Sequence, residues 1–127
     1  IMRSVEAVNQ PTPTAKTTSA TLTAAELLTR IITVNQAGGG TSAQQLPLAT
    51  AMDTALPDFA NDDAFEFSVI NVSTVAAEDA SITTNTGWTL VGNMDVLSNA
   101  AATDRSTGLF RARRTGAGAW TLYRVGG

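Results

Sequence analysis

The side chains best suited to catalysis in this sequence are two pairs of adjacent acids. Asp62-Asp63 and Glu78-Asp79 could supply the two carboxylates that a glycosidase-like mechanism needs. Adjacent residues of a strand, however, point to opposite faces of a sheet, and acids in turns point to water. Residues 58–63 also lack the alternating oxygen ligands and the bend glycine of a calcium loop. We therefore interpret these acids as turn and helix-capping residues.

The residue types that most catalytic and metal sites require are missing. The 127 residues include no cysteine and no histidine, which excludes thiolate zinc sites, cysteine nucleophiles, Ser-His-Asp triads and two-histidine metal sites. The run Gly38-Gly39-Gly40 lacks the following Lys-Ser/Thr of a phosphate-binding loop. The sequence therefore predicts a protein that is not an enzyme and that binds no cofactor and no metal.

Composition also argues against nucleic-acid and membrane partners. Arginines lie among aromatic residues near the C-terminal end, but Phe110 and Trp120 occupy core-like positions, and the formal net charge is −3. An acidic chain offers little cationic surface to displace counterions from nucleic acid. The sequence has no apolar run of about 18 residues that could span a membrane, and its first residues lack the apolar segment of a signal peptide. We expect a protein made in the cytoplasm.

Charge is segregated along the chain. Seven acids and no basic residue lie between residues 53 and 79. Five arginines and no acid lie between residues 105 and 124. Two interpretations are open: oppositely charged strands pair within one subunit, or they pair between subunits or with a shell. Arginine fits both interpretations, because its planar guanidinium group can bind a carboxylate through two parallel hydrogen bonds. The candidate interface arginines are Arg111, Arg113, Arg114 and Arg124.

Residues 1–19 differ from the rest of the chain and are predicted to form an extended N-terminal arm. They are polar and rich in threonine, and Pro11 and Pro13 fix the backbone and remove hydrogen-bond donors. The arm is either a disordered tail or a segment that docks on a neighbour. The docking hypothesis makes Pro11, Pro13 and Lys16 candidate interface residues.

Residues 20–127 are predicted to form one β-sandwich domain. Short alternating segments separated by Gly, Asn, Asp and Ser turns indicate about seven or eight strands, which favours an antiparallel, jelly-roll-like sandwich. Two short helices interrupt the strands: one is capped by Thr23 and Glu26, and the other covers residues 49–56. The predicted inward-facing residues are Phe65, Phe67, Val69, Phe110, Ala112, Trp120 and Leu122.

The strand over residues 64–72 is apolar on part of both faces. Ile70 and Val72 lie on the face opposite Phe67, beside Glu66. A strand with two partly apolar faces is either central in a sandwich or covered by a partner subunit.

Six short segments occur in a fixed order between residue 20 and the end of the chain. They are residues 21–28, 46–51, 63–71, 87–93, 110–113 and 122–124. This series resembles the small capsid-associated proteins of tailed phages and prophages, which are known as cement, decoration or head-stabilising proteins. The resemblance covers roughly residues 20–127.

The resemblance implies a non-enzymatic virion protein on the outer surface of a phage capsid. Such a protein has a jelly-roll-like sandwich, forms a homo-oligomer, binds the major capsid protein and stabilises contacts between capsomers. We expect the homo-oligomer to be a trimer, and a dimer is the second choice. The hypothetical contact regions are the arm, the exposed sandwich faces and the acidic turn with Asp58, Asp62 and Asp63.

Two other functions remain open. A phage fibre or receptor-binding module shares the β-sandwich architecture, and it should present an exposed aromatic or carbohydrate-binding surface. Most aromatic residues here lie at core-like positions, which disfavours that function. A carboxylate-based hydrolase is the third possibility, and it would lose activity when Asp62 or Asp63 is changed.

Overall fold

Two packed β-sheets and two short helices make up the structure, a computed structural model that describes residues 7–101 and 103–127. Strands account for 41% of the described residues and helices for 9%, which confirms the predicted β-rich class with two short helices. The elements are β1 (Thr14–Lys16), β2 (Ala20–Thr21), α1 (Ala24–Leu27), β3 (Ile31–Val34), β4 (Ser42–Gln45), α2 (Ala49–Ala55), β5 (Ala64–Asn71), β6 (Ala80–Thr83), β7 (Trp88–Val91), β8 (Asp95–Val96), β9 (Thr107–Gly116) and β10 (Ala119–Gly126).

The two sheets are mixed and largely parallel, so the predicted antiparallel jelly-roll arrangement is not observed. One sheet has the order β1-β3-β5-β9-β10-β7, and the other has the order β2-β4-β6-β8. Five of the eight strand pairs in the described ranges are parallel. The antiparallel pairs are β5 with β9, β9 with β10, and β6 with β8.

The parallel pairing arises because consecutive strands alternate between the sheets. From β1 to β6 the chain visits the six-stranded sheet and the four-stranded sheet in turn, which forms a coil of three turns. Parallel neighbours need a crossover between them, and here the strand in the opposite sheet provides it. Residue alternation along a strand specifies which face is buried, but it carries no information about the direction of the neighbouring strand.

The core lies between the sheets and contains the predicted inward-facing residues. Phe67, Phe110 and Trp120 are the largest fully buried side chains, while Phe65 is partly buried against them. The rings of Phe67 and Phe110 stack with centroids 5.5 Å apart. Trp120 lies 5.8 Å from the ring of Phe59, so aromatic packing extends from β10 to the turn before β5.

The strand predicted to be apolar on both faces, β5, is central in the six-stranded sheet. It pairs with β3 on one side and with β9 on the other. Phe67, Val69 and Asn71 are buried on its inner face, while Ile70 on the outer face is half-buried. The first of the two alternatives, a central strand, is therefore what the fold shows.

The first helix begins with the predicted capping box. The Glu26 backbone N–H donates to Thr23 Oγ1 at 3.1 Å, and the Thr23 N–H donates to Glu26 Oε1 at 2.9 Å. These bonds satisfy two backbone donors that a helix start leaves free. The second helix is longer, with seven residues, and none of the helices within the described ranges is long and apolar enough to cross a membrane.

The predicted N-terminal arm is partly incorporated in the fold. Residues 1–6 lie outside the described residues, but Thr14–Lys16 form β1, the edge strand that pairs in parallel with β3. Gln10 Nε2 also donates to the carbonyl of Thr29 at 2.7 Å. The boundary predicted at residue 20 and the docking role of the arm stay predictions.

A buried polar cluster closes one end of the sandwich. Glu78 is only 4% exposed, and its carboxylate accepts hydrogen bonds from the Ser73 hydroxyl and from the Gly39 N–H, the latter at 2.8 Å. Asn71 Nδ2 donates to the Glu78 carbonyl at 2.8 Å. Because buried polar groups are costly without hydrogen-bond partners, this cluster fixes the loop at Gly38–Gly40 and the β5–β6 connection to each other.

Two of the three buried serines near this end, Ser42 and Ser73, should respond differently to removal of the hydroxyl. Ser73→Ala removes one of the two hydrogen bonds to the Glu78 carboxylate and leaves the Val75 N–H without its side-chain acceptor, and we expect it to lower the free energy of unfolding by about 1–3 kcal/mol. Ser42 is also buried, but its hydroxyl has no hydrogen-bond partner among the described residues. Ser42→Ala should therefore leave stability nearly unchanged. Urea unfolding of both variants tests this, and equal losses would contradict it.

Candidate functional site

Two of the predicted interface arginines lie on the outer face of the six-stranded sheet. Phe110 and Ala112 of β9 are buried in the core, so strand alternation turns Arg111 and Arg113 outward. In the β9–β10 ladder, Arg111 pairs with Tyr123 of the neighbouring strand. Two guanidinium groups and a phenol ring therefore share one surface.

These side chains border an open groove of about 380 Å³, here called the arginine groove. Its far wall comes from β7, because β7 runs parallel to β10 and places Val91 beside Tyr123. Val91 and Val125 on the groove wall are 46% and 45% exposed. The lining residues are Val91, Gly92, Arg111, Arg113, Tyr123, Arg124 and Val125.

Acidic residues that do not line the groove hold both guanidinium groups. Arg111 Nη2 donates to Glu66 Oε2 at 3.0 Å, and Arg113 Nη1 donates to Asp62 Oδ1 at 2.7 Å. Arg113 Nε also donates to the Tyr123 hydroxyl at 3.0 Å. The hydrogen bond to Tyr123 and then the one to Asp62 raise the pKa of Arg113 above its usual value. The groove therefore contains two guanidinium groups, each of which already binds one carboxylate.

The segregated charges of the sequence pair within the chain at three of the five arginines. Arg111, Arg113 and Arg114 bind acids of the segment between residues 53 and 79. This is the first of the two interpretations drawn from the charge pattern. The side chains of Arg111 and Arg113 remain 51% and 38% exposed, so a partner can reach them, and their role in an interface stays a prediction.

Arg114 is part of an internal network rather than of the groove. Its Nε donates to Asp53 Oδ1 at 3.0 Å, and its Nη1 donates to Asn61 Oδ1 at 2.9 Å. Asp53 also accepts hydrogen bonds from the Trp120 indole at 2.9 Å and from the Gly118 N–H at 2.6 Å. Burial raises the pKa of Asp53, but the bonds from Gly118, Trp120 and Arg114 outweigh it and hold that pKa below its usual value. The network fastens α2 to the β9–β10 hairpin.

Arg124 connects the two sheets by a hydrogen bond from β10 to β8. Its guanidinium lies over the Phe110 ring, 5.8 Å from the centroid. It donates to backbone carbonyls of the β7–β8 connection and of β8, at Asn93 and Asp95, and to that of Gly126. Arg124 borders the arginine groove, and its role in an interface stays a prediction.

The acidic turn brings only one of its predicted interface residues to the groove arginines. Asp62 has a φ of 75°, a conformation that aspartate tolerates better than most residues, and it binds Arg113. Asp63 accepts a hydrogen bond from the Ala60 N–H at 2.8 Å, so it stabilises the turn itself. Asp58 is exposed and makes no side-chain hydrogen bond or ion pair with the other described residues.

The arm residues lie at the opposite edge of the same sheet. Lys16 Nζ forms an ion pair with Glu26 Oε2 at 2.5 Å, which links β1 to α1. Pro11 is half-buried and Pro13 is exposed, and both precede β1. The structure therefore separates Pro11, Pro13 and Lys16 from the arginine groove by the width of the sheet.

The acids considered for catalysis are not brought together. Asp62 and Asp63 belong to the turn before β5, while Glu78 is buried against Ser73 and Asp79 accepts from the Ser98 N–H at 2.9 Å. Within residues 7–101 and 103–127, no group of three or more acidic side chains could hold a metal ion. The expectation that the protein is not an enzyme stays a prediction.

Sequence reasoning named Arg111 and Arg113 but missed the groove that they border. Nothing in the sequence indicated that β7 would pair with β10, the strand that carries Tyr123. Val91 therefore could not be assigned to one surface with the arginines. The available signal in the sequence was Val125, which lies two residues after Tyr123 and therefore on the same face of β10.

Fold and site together define a two-sheet β-domain with a charged, partly apolar groove on one sheet face. Comparison of the chain with protein-family models, with curated proteins and with solved structures found no match. A family is therefore not shown, and the resemblance to phage capsid-associated proteins is a basis for a proposal.

Proposed function

We propose that this chain is a non-enzymatic structural protein of a tailed-phage virion. In this proposal it is made in the host cytoplasm, binds the outer surface of the capsid and stabilises the contacts between capsomers of the major capsid protein. The order of short segments between residues 20 and 127 supports the virion assignment. The two packed sheets support it at the level of a two-layer β architecture.

The observation that carries the proposal is the composition of the sheet face around the arginine groove. Arg111, Arg113 and Tyr123 lie beside the exposed aliphatic residues Val91 and Val125. Arginine and tyrosine are enriched in the residues that dominate protein interfaces, and exposed apolar side chains beside them favour contact with another protein. The absence of histidine and cysteine from the sequence removes most catalytic alternatives.

Binding of this kind stabilises a shell by mass action. A protein that binds the assembled lattice and not the separated subunits shifts the equilibrium towards the closed form. A homo-oligomer, with a trimer preferred over a dimer, would contact several shell subunits at once and gain avidity. The arm at residues 1–19 would extend the contact to the shell or to a neighbouring copy.

Co-sedimentation with capsids that have been stripped of the protein tests the proposal. We expect saturable binding of the full chain and, after binding, retention of intact shells at a temperature that disrupts stripped capsids. Absence of binding to stripped capsids, measured with protein whose folded state is checked by circular dichroism, would contradict the proposal. A variant that lacks residues 1–13 keeps β1 and tests the arm separately: unchanged occupancy and heat resistance would count against its role.

The alternative function is a phage fibre or receptor-binding module. One observation favours it, namely that Tyr123 lies in an open groove rather than in the core. Under this alternative the purified protein should attach to host cells, and Tyr123→Ala should reduce the attachment. Attachment to cells without binding to capsids would replace the first proposal by this one.

A further inference from the structure

We propose that the arginine groove receives an acidic side chain, a glutamate or an aspartate, from the protein that this chain binds. The guanidinium groups of Arg111 and Arg113 bind the carboxylate, and Val91 and Val125 contact the apolar neighbours of that acidic residue. This inference rests on the proposed function, because it names the chemistry of the partner at the shell surface.

The hydrogen-bonding capacity of the two arginines supports an incoming carboxylate. Arg111 uses Nη2 for Glu66, and Arg113 uses Nε for Tyr123 and Nη1 for Asp62. Each guanidinium has five N–H donors, so several donors of each group have no partner among the described residues. An added carboxylate can accept from both groups and form short, charge-assisted hydrogen bonds.

The acids that already bind the arginines orient them without filling the groove. Neither Glu66 nor Asp62 is among the residues that line it. Asp62 and the Tyr123 hydroxyl hold the Arg113 guanidinium from two sides, and its carbon centre lies 5.7 Å from the Tyr123 ring centroid. A guanidinium fixed in this way loses less side-chain entropy when a ligand binds.

The apolar wall favours an acidic residue of a protein over a small inorganic anion. Val91 and Val125 give an inorganic anion nothing to bind, whereas they match the aliphatic side chains that flank a glutamate in a folded partner. The internal acids lower the local positive potential and so weaken the binding of every anion, which gives the advantage to an anionic residue that also makes apolar contacts. The groove therefore favours a ligand that carries both a negative charge and an apolar surface.

Peptide binding tests the inference without a capsid. The probes are two pentapeptides, Gly-Val-Glu-Val-Gly and Gly-Val-Gln-Val-Gly, each acetylated at its N-terminus and amidated at its C-terminus. Sodium phosphate is the inorganic anion used for comparison. We expect the glutamate peptide to shift the NMR signals of the Val91 and Val125 methyl groups and of the Tyr123 ring. Its affinity should exceed that of the glutamine peptide by about tenfold, as one charge-assisted hydrogen bond predicts. Equal affinity of the two peptides, or tighter binding of phosphate, would overturn the inference.

Two substitutions and a charge-matched control complete the test on stripped capsids. Arg111→Gln and Arg113→Gln should each weaken capsid binding by about tenfold, and Arg105→Gln, which removes an exposed arginine outside the groove, should not. If Arg113→Gln unfolds the protein, the half-exposed Arg111 still provides the test. Binding of the wild type with no loss in Arg111→Gln would overturn the inference alone, whereas no binding of the wild type would overturn the proposed function.

Discussion

Replacing Asp53 with alanine is expected to lower the free energy of unfolding by about 2–4 kcal/mol, one of the largest losses from any polar substitution in this protein. The Asp53 carboxylate accepts from Arg114 Nε, from the Trp120 indole and from the Gly118 N–H. Alanine removes all three acceptor contacts and leaves a half-buried guanidinium without its carboxylate. Urea unfolding at neutral pH measures the loss.

The stability of the wild type should also depend on pH through this group. Because the folded state holds the pKa of Asp53 below its usual value, the carboxylate contributes stability that is present above the unfolded-state pKa. That contribution is lost as the pH falls through the lower pKa of the folded state. Asp53→Asn should lack this part of the acid-dependent loss.

Asp58→Asn is the matched control for Asp53→Asn, since it makes the same chemical change at an exposed acid that has no side-chain partner among the described residues. It should change the unfolding free energy by less than about 0.5 kcal/mol at neutral pH. If Asp53→Asn is equally mild and keeps the acid dependence of the wild type, the Asp53 network does not stabilise the fold as described.

Replacing Gly87 with alanine should be as damaging, for a steric reason. Gly87 has a φ of 92°, and a methyl group there would overlap the Gly118 carbonyl oxygen and lie 2.5 Å from Ala49 Cβ. Both neighbours are short of room to move, because one is backbone and the other is in the first turn of α2. We expect a loss of about 3 kcal/mol or more, from backbone strain and overpacking together, measured as a fall in urea midpoint at unchanged slope.

Gly39→Ala separates the two contributions to the Gly87 effect. Gly39 has a similar φ of 86°, but a methyl group there would meet no atom within 4 Å. Its cost should therefore be that of backbone strain alone, about 1–2 kcal/mol. A Gly39→Ala variant that loses as much stability as Gly87→Ala would show that strain, rather than contact with Gly118 and Ala49, determines the cost at Gly87.

Both predictions concern the attachment of α2 to the hairpin that carries the groove. Asp53 binds the end of the β9–β10 turn, and Gly87 allows the strand β7 to approach the same turn at Gly118. Because Arg111, Arg113 and Tyr123 project from the other face of this hairpin, loosening its inner attachment should also broaden the NMR signals of the groove residues. The stability of the fold and the order of the groove residues are therefore expected to depend on the same hairpin.

The sequence by itself determined the features that depend on neighbours along the chain. The alternation in β5, β9 and β10 predicted which residues enter the core, and Phe67, Phe110 and Trp120 are buried there. Thr23 and Glu26 are three residues apart, so their capping box could be read directly. The absence of histidine and cysteine excluded several kinds of site by composition alone.

Only the tertiary structure decided which strands are neighbours and in which direction they run. An alternating pattern is the same for parallel and antiparallel strands, so it could not reveal that β1–β6 form a parallel coil. Nor could it pair Arg114 with Asp53, 61 residues away, or place Val91 beside Tyr123. The groove exists because β7 joins the sheet next to β10, and that choice depends on long-range packing that no local pattern encodes.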